Sequence, residues 1–489
     1  MTNLESYFKK YRDNIIGIDH EFNSPFGTKK IIYADWIASG RLYSPIENIM
    51  NEKFAPFVGN THSESSVTGT SMTLAYKEAR NIIKKHVNAG VDDVLLFVGS
   101  GMTSAVNKFQ RILGFKICEQ LNKFTSIPLE DKPIVFLTHM EHHSNQTSWL
   151  ETIADVEVIE PDEQGLIDLN HLEELLQKYK NRKIKIGSFT GASNVTGIQT
   201  PFYEMAKLMH ENNGLCFVDF AASAPYVDID MNPGDPLMRL DAIFFSPHKF
   251  LGGPGTSGVL IFNSKLYHKS IPDHPGGGTV EWTNPWGTHQ YIKDIEMRED
   301  GGTPGFLQAI KAALCVKLKE EIKSKNIIKR EEELLKIAMP RLKANHKIHI
   351  LANDIEHRLG IISFYVEDIH YNLMVTLLND KFGIQVRGGC SCAGTYGHYL
   401  LHVDPTRSQR ITDKINQGDL SEKPGWVRLS LHPTMTDDEL KFILNGIEET
   451  IQNAAEWEKE YDYSKTTNEF TNKNVKSEIH SLVKDWFVL

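Results

Sequence analysis

The segment Phe244–Gly255, FFSPHKFLGGPG, places Lys249 between an apolar strand and a glycine-rich turn. A lysine in this setting loses its hydration, and desolvation lowers the pKa of its amine. The neutral amine is a nucleophile that forms a Schiff base with a carbonyl group. The alternative is an ordinary solvated loop lysine, so the neighbouring motifs decide between the two interpretations.

Two upstream motifs favour the reactive lysine. Asp219 ends a fully apolar strand about 30 residues before Lys249, and Gly99–Ser104 follows another strand and begins a helix. That turn supplies hydroxyls, backbone N–H groups and a helix dipole suited to a phosphate. A carboxylate pairs with a protonated pyridine nitrogen, although aspartates at strand ends also cap turns. In this order the turn, the carboxylate and the lysine predict a site for pyridoxal 5'-phosphate (PLP).

The chain between about residues 90 and 265 alternates short apolar runs with helical stretches. This pattern is typical of an α/β fold in which helices cover both faces of a mostly parallel sheet. We therefore expect a large seven-stranded domain at residues 31–305. Crossover helices are predicted at Met102–Leu113, Ser148–Ile153 and Phe202–Asn212. The seven predicted strands are DVLLFV, PIVFLTH, VEVIEP, KIKIGSF, LCFVDF, AIFFS and GVLIF.

The remaining residues, 1–30 and 306–489, are predicted to form a smaller α+β domain with helical terminal extensions. A long helical stretch is expected at Phe306–Lys343, and a capping box at Thr436–Glu439 begins a helix that runs through Ile451. The last ~35 residues show no sheet pattern and are expected to be helical or partly ordered. The predicted strands of this domain are ILAND, IISFYVE, IQVRGG and WVRLSL.

The composition narrows the class of protein. The 489 residues carry 53 basic and 63 acidic side chains, and 40% of them are hydrophobic. No run approaches the ~20 apolar residues of a membrane helix, and the amino-terminal segment is too charged for a signal peptide. No block of Lys or Arg indicates nucleic acid. We therefore expect a cytoplasmic protein without membrane or nucleic-acid partners.

The five cysteines are too few for a disulfide scaffold. Cys118, Cys216 and Cys315 lie in apolar surroundings and are predicted to be buried. Cys390 and Cys392 form a C-x-C pair in a glycine-rich segment, without a matching Cys/His pair at zinc-site spacing. We therefore expect no metal and interpret the pair as a redox pair or a reactive thiol.

Eight motifs, in a fixed order, extend the pattern to nearly the whole chain. They are Tyr33-Ala34-Asp35 with Ala38-Ser39, Glu141-His142-His143-Ser144-Asn145, Ser193-Asn194-Val195-Thr196-Gly197, Val218-Asp219, Ser246-Pro247-His248-Lys249, Gly302-Thr303-Pro304, Arg387-Gly388-Gly389-Cys390-Ser391-Cys392-Ala393 and Arg428-Leu429-Ser430-Leu431. From Tyr33 to Ile451 the sequence resembles the class V aminotransferases, and within them the cysteine desulfurases and selenocysteine lyases. The resemblance implies the PLP-dependent transferase fold of type I.

The resemblance implies roles around PLP. Lys249 is the Schiff-base lysine and general acid/base, and Asp219 is the partner of the pyridine nitrogen. His142 stacks on the ring, although a His-His pair is otherwise a surface or metal-binding feature. Asn194, otherwise a turn asparagine, hydrogen-bonds the ring hydroxyl or the substrate carboxylate. The residues implied at the phosphate are Thr103, Ser104, Ser246, His248 and, from a second subunit, Thr303. The contact from a second subunit implies a homodimer.

The resemblance also implies an amino-acid substrate. Arg428 would clamp its α-carboxylate with help from Arg387, although strand arginines more often form surface ion pairs. Cys392 matches the desulfurase nucleophile, whose thiolate attacks the sulfur of L-cysteine, keeps it as a persulfide and releases L-alanine. A sulfur-acceptor protein is then an expected partner.

Two features depart from the desulfurase pattern. The family usually has Asp-x-Ala-Gln or Asp-x-Ala-His, whereas here Ala222 ends Asp219-Phe220-Ala221-Ala222, so one contact to the ring hydroxyl is missing. The cysteine loop is also similar to that of molybdenum cofactor sulfurases. Three hypotheses therefore stand: a cysteine desulfurase, another class V enzyme such as an aminotransferase or a C–S or C–N lyase, and a non-enzymatic relative that uses the fold for binding.

Overall fold

A computed structural model describes residues 4–61, 63–122, 126–474 and 479–488. Its centre is a seven-stranded sheet in the order β1-β7-β6-β5-β4-β2-β3. β7 is antiparallel to β1 and β6, and all other pairs are parallel. The predicted mostly parallel seven-stranded sheet is therefore confirmed. The strands are β1 (Asp93–Val98), β2 (Ile134–Thr138), β3 (Asp155–Ile159), β4 (Lys185–Thr190), β5 (Leu215–Asp219), β6 (Ala242–Phe245) and β7 (Gly258–Asn263).

The strands are apolar because both faces of the sheet are covered. Ile243 belongs to the hydrophobic core on one face, whereas its neighbour Phe244 packs with Phe109 and Phe217 on the other. The helices are α1 (Leu4–Arg12), α2 (Ser44–Ile49), α3 (Val67–His86), α4 (Met102–Ile112), α5 (Glu119–Asn122), α6 (His143–Leu150), α7 (Leu169–Lys178), α8 (Phe202–Glu211), α9 (Ile295–Arg298), α10 (Phe306–Ile322), α11 (Ser324–Lys343), α12 (Tyr371–Phe382), α13 (Gly394–Leu400), α14 (Pro405–Asn416), α15 (Asp437–Trp457) and α16 (Ile479–Asp485). None of the helices in the described part of the chain is long and apolar enough for a bilayer crossing.

A second sheet is antiparallel and has the order β8-β9-β11-β10. It lies in the carboxyl-terminal third of the chain, as predicted. The division into domains at residues 31–305 and at 1–30 with 306–489 stays a prediction. The strands are β8 (Ile348–Ile350), β9 (Ile361–Val366), β10 (Arg387–Gly389) and β11 (Trp426–Ser430); the two-stranded pairs are Glu21–Ser24 with Gly27–Lys30, Ile32–Tyr33 with Ile384–Gln385, Val280–Thr283 with His289–Tyr291, and Tyr461–Ser464 with Glu469–Asn472.

Two of three expectations about elements were wrong. The crossover helix predicted at Ser148–Ile153 is α6, which begins at His143 because the His142 side chain accepts from the Ser144 N–H and caps it. The helical stretch predicted at Phe306–Lys343 is confirmed, and it consists of two helices, α10 and α11, which are separated at Lys323, whose φ is +70°. The carboxyl-terminal residues include the hairpin Tyr461–Asn472, in which the left-handed Asn468 (φ +60°) allows the turn.

Candidate active site

A cavity of about 210 Å³ lies at the carboxyl edge of the large sheet, between it and the second sheet. Ligands bind at this edge in open α/β sheets, because loops from several strands meet there. Ten of the twelve residues that the sequence predicts for the site line this cavity. They are Thr103, His142, Asn194, Asp219, Ser246, His248, Lys249, Arg387, Cys392 and Arg428.

The other two predicted residues do not line it. Ser104 lies in the first turn of α4 with its hydroxyl beside Gly99, because the left-handed Gly99 (φ +46°) turns the loop back toward it. Thr303 is exposed and donates a hydrogen bond to Asn60 Oδ1 at 3.2 Å. Its predicted contact belongs to a second subunit, so this role stays a prediction.

The start of α4 brings together groups that can bind an anion. The Met102 N–H donates to Ser246 Oγ at 2.8 Å, which joins the helix to the loop after β6. Thr103 Oγ1 and Ser144 Oγ lie 2.6 Å apart. A Cβ at Gly101 would lie 3.1 Å from Ser246 Oγ, so glycine keeps this end of the cavity open. Hydroxyls and helix N–H groups at one point suit a phosphate.

Lys249 ends a single helical turn, Pro247–Lys249, directly after β6. The following glycines are required there, since a Cβ at Gly253 would overlap the carbonyl oxygen of Pro247. Burial lowers the pKa of Lys249 to about 8, although Asp219 raises it. The amine is therefore partly neutral near physiological pH, as a Schiff-base lysine requires.

Asp219 is buried at the end of β5, and its Oδ1 accepts a hydrogen bond from the Ala221 N–H at 2.8 Å. Burial raises the pKa of Asp219 to about 6, while the Ala221 N–H and Lys249 lower it. The carboxylate is still the main form at neutral pH. A buried carboxylate of this kind favours a cationic partner such as a protonated pyridine nitrogen.

His142 is kept neutral by its surroundings. Burial, with the smaller effects of Lys249, His143 and Arg428, lowers its pKa to about 3. Burial likewise lowers the pKa of His248 to about 4. A neutral imidazole that lines the cavity beside Lys249 is suited to stacking on an aromatic ring.

The two arginines lie side by side on the second sheet, because Arg387 on β10 is the register partner of Arg428 on β11. Asp35 accepts from both, with Oδ1 2.8 Å from Arg428 Nη2 and Oδ2 3.0 Å from Arg387 Nε. Arg428 is buried and also donates to the Asn194 carbonyl oxygen at 3.2 Å. This arrangement is a ready site for a carboxylate.

The cysteine loop forms one wall of the cavity. Ser391 and Cys392 have φ of +51° and +57°, and Asn194 Nδ2 donates to the Ser391 carbonyl oxygen at 2.7 Å. His143 holds the loop twice: its N–H donates to the Cys392 carbonyl oxygen at 2.7 Å, and its Nε2 accepts from the Gly394 N–H at 2.8 Å. Cys392 is exposed and is therefore accessible to a bound substrate.

These residues fit PLP. The buried Asn194 Oδ1 has no hydrogen-bond partner within the described residues, so the cavity offers polar capacity for a ligand. Gly101 leaves space beside the hydroxyls, and Asp219 and Lys249 supply the carboxylate and the amine that the cofactor needs. No group of three or more candidate metal ligands occurs in the described ranges.

Two site residues were missed by the sequence reasoning. The motif Tyr33-Ala34-Asp35 predicts no role for the Asp35 carboxylate, because its partners are far away in sequence. In the sequence His143 is only one half of a His-His pair. Among the cysteines, the prediction that Cys118 is buried was wrong, since it is exposed in the polar loop before α5 and donates to Gln120 Oε1; Cys216 and Cys315 are buried as predicted.

Curated proteins of similar sequence carry one name. A protein named "probable cysteine desulfurase" from Halalkalibacterium halodurans is 27% identical over 380 residues, covering 77% of this chain and 86% of the relative. A protein of the same name from Staphylococcus aureus is 26% identical over 369 residues, covering 75% of this chain and 84% of the relative.

Solved structures share the fold. Cysteine desulfurase from Thermococcus onnurineus NA1 superposes with a TM-score of 0.70 at 23% identity, covering 86% of this chain and 95% of that one. Escherichia coli CsdA gives 0.70 at 20% identity, with 92% and 99% covered. The model of the family described as "Aminotransferase class-V" matches residues 32–443. Since that match spans most of its length, the chain belongs to the class-V aminotransferase family.

Proposed function

We propose that this protein is a PLP-dependent cysteine desulfurase, which takes sulfur from L-cysteine and releases L-alanine. The observation that carries the proposal is that Cys392 lines the same cavity as Lys249, Asp219 and the arginine pair. The curated relatives are named for this activity, which supports the proposal.

Each residue of the cavity would have its own role in binding PLP or in the reaction. Thr103, Ser246, His248 and the start of α4 would hold the phosphate, and Asp219 would hold the pyridine nitrogen. PLP, when bound, supplies an electron sink for charge that develops on the substrate carbon. Lys249 moves a proton to and from that carbon, since its pKa of about 8 lets it act in both forms near neutral pH.

Arg428, with Arg387, would fix the substrate α-carboxylate and so orient the sulfur toward Cys392. The Cys392 thiolate forms a bond to the substrate sulfur as the carbon–sulfur bond breaks. The bonding electrons remain on the carbon side, which is protonated to give L-alanine, and the sulfur stays on Cys392 as a persulfide. A thiol or an acceptor protein then takes up that sulfur.

The proposal includes a homodimer and a cytoplasmic location. Thr303 is exposed on this chain and does not line its cavity, which is consistent with a contact to a second subunit. In a dimer, Thr303→Ala would raise the dissociation constant of PLP without changing the Lys249 site. Sedimentation analysis would show whether Thr303→Ala is still a dimer, and so whether weaker PLP binding arises from loss of the contact or from loss of the dimer.

The decisive experiment measures alanine and sulfide formed from L-cysteine with a thiol reductant. Cys392→Ala should retain the absorbance band of bound PLP and lose both products. Cys118→Ala is the matched control, because it removes an exposed thiol outside the cavity. It should act like the wild type.

Activity in Cys392→Ala equal to wild type would contradict the desulfurase proposal. The second candidate, another class V reaction on a different amino acid, would then stand. Ala222 favours that candidate, since it lines the cavity with a methyl group where desulfurases usually have Gln or His.

A further inference from the structure

One carboxylate of the chain itself already bonds both arginines of the substrate site. Asp35 lies between Arg387 and Arg428 and accepts one hydrogen bond from each, with distances of 3.0 and 2.8 Å. Its side chain is only 13% exposed. A surface ion pair would contribute little, but one that is largely buried at a ligand site sets the local charge.

The backbone holds Asp35 in this place. Asp35 forms a parallel bridge with Ser430, and the Ser430 N–H donates to the Ala34 carbonyl oxygen at 2.8 Å. The Tyr33 hydroxyl donates to the Asp35 carbonyl oxygen at 3.2 Å. Asp35 is therefore fixed to β11, the strand that carries Arg428, and the carboxylate and the two guanidinium groups form one rigid set.

Asp35 does not use every N–H group of the two arginines. Arg428 Nε is buried and makes no hydrogen bond within the described part of the chain, and the half-exposed Arg387 reaches Asp35 through Nε. Two guanidinium groups and one carboxylate leave a single net positive charge. The same three groups act on Lys249, whose pKa is lowered by both arginines and raised by Asp35.

We propose that Asp35 determines substrate specificity as the built-in counter-ion of the arginine pair. Asp35 leaves the arginine pair with one net positive charge, which balances one substrate carboxylate. The cavity therefore selects α-amino acids with an uncharged side chain over dicarboxylic ones. Asp35 acts through the arginines, so it is a positioning residue rather than a catalytic one. This inference rests on the proposed function in one respect, that an α-amino acid binds at Arg428.

The test compares L-alanine, whose side chain is uncharged, with L-aspartate, whose side chain carries a carboxylate, by calorimetric titration of the holoenzyme. The wild type should bind L-alanine more tightly. Asp35→Asn raises the charge of the set by one, so the ratio of the L-aspartate to the L-alanine dissociation constant should fall at least tenfold. A unit charge within a few Å in a partly buried cavity is sufficient for that change.

Two further variants and a matched control keep the test independent of folding. The Arg387 side chain is half exposed, and Arg387→Gln lowers the charge of the set by one. The ratio of the L-aspartate to the L-alanine dissociation constant should therefore rise rather than fall. Asp35→Glu retains the charge and should restore the wild-type ratio. Asp19→Asn, which removes an exposed carboxylate paired with Lys30, is the matched control and should leave the ratio unchanged.

An unchanged ratio in Asp35→Asn, a shift of the same sign in Arg387→Gln, or no binding of either amino acid to the wild type would overturn the inference. The readout is binding, so it is separate from desulfuration. If the ratios shift as expected but L-cysteine yields no alanine, the proposed reaction fails while the role of Asp35 stands.

Discussion

Reaction of the apo-protein with PLP should report the pKa of Lys249 directly. The pKa of about 8, against an ordinary 10.5, arises mainly from burial. At pH 7 about one tenth of the molecules then carry a neutral amine, roughly 300 times more than an ordinary lysine would. Between pH 7 and pH 9 the neutral fraction should rise about tenfold, with its midpoint near pH 8, and then level off. The initial rate of Schiff-base formation should follow this curve.

The assay mixes apo-protein with PLP across this pH range, follows the absorbance, and traps the product with borohydride for mass spectrometry. Lys249→Ala provides the background from surface lysines. Asp219→Asn should move the midpoint to lower pH, because Asp219 raises the pKa of Lys249. A rate that keeps rising tenfold per pH unit up to pH 10 would refute the reasoning, since it would mean an ordinary amine.

Three shorter predictions test other parts of the molecule. His143→Ala removes the acceptor of the Gly394 N–H, a bond of about 1 kcal/mol, so kcat should fall about fivefold with KM and PLP absorbance unchanged; a change in KM alone would contradict this. Gly101→Ala places a methyl group against Ser246 Oγ and should raise the dissociation constant of PLP about tenfold, measured by equilibrium dialysis. Glu331 is buried, and burial raises its pKa from 4.5 to about 8. Its contribution to the free energy of unfolding is therefore fully present below pH 4.5 and is lost as the pH rises toward 8. Glu331→Gln should remove that part of the pH dependence of Tm, and an unaltered profile in calorimetry would count against it.

The large sheet could be predicted because its inner strands are buried on both faces and therefore appear as short, mostly apolar runs, whereas the edge strand β3 is only partly buried. The positions of Lys249 and Asp219 could be predicted as well, since Asp219 ends one of these runs and Lys249 follows another. The start of α6 could not be found in this way, because its cap is the side chain of His142 rather than Ser, Thr, Asp or Asn. The terminal hairpin was missed for a similar reason, since its turn depends on one left-handed residue, Asn468.

The role of Asp35 could be inferred only from the folded structure. Nothing near it in sequence indicates that its carboxylate bonds two arginines from another sheet. The anchoring of the cysteine loop by His143 is also a tertiary contact, between residues 251 positions apart. Local patterns predict elements and the residues at their ends, whereas pairing between distant loops depends on how the sheets are packed together.

The bridge between Asp35 and Arg428 also has a consequence during synthesis. The two residues are 393 positions apart, and ribosomes add about 5 to 20 residues per second. Roughly 20 to 80 s therefore pass between the emergence of the first partner and the second. Throughout that interval the nascent chain already carries Asp35 but has no complete pocket for an amino acid, so a truncated product released early cannot engage substrate.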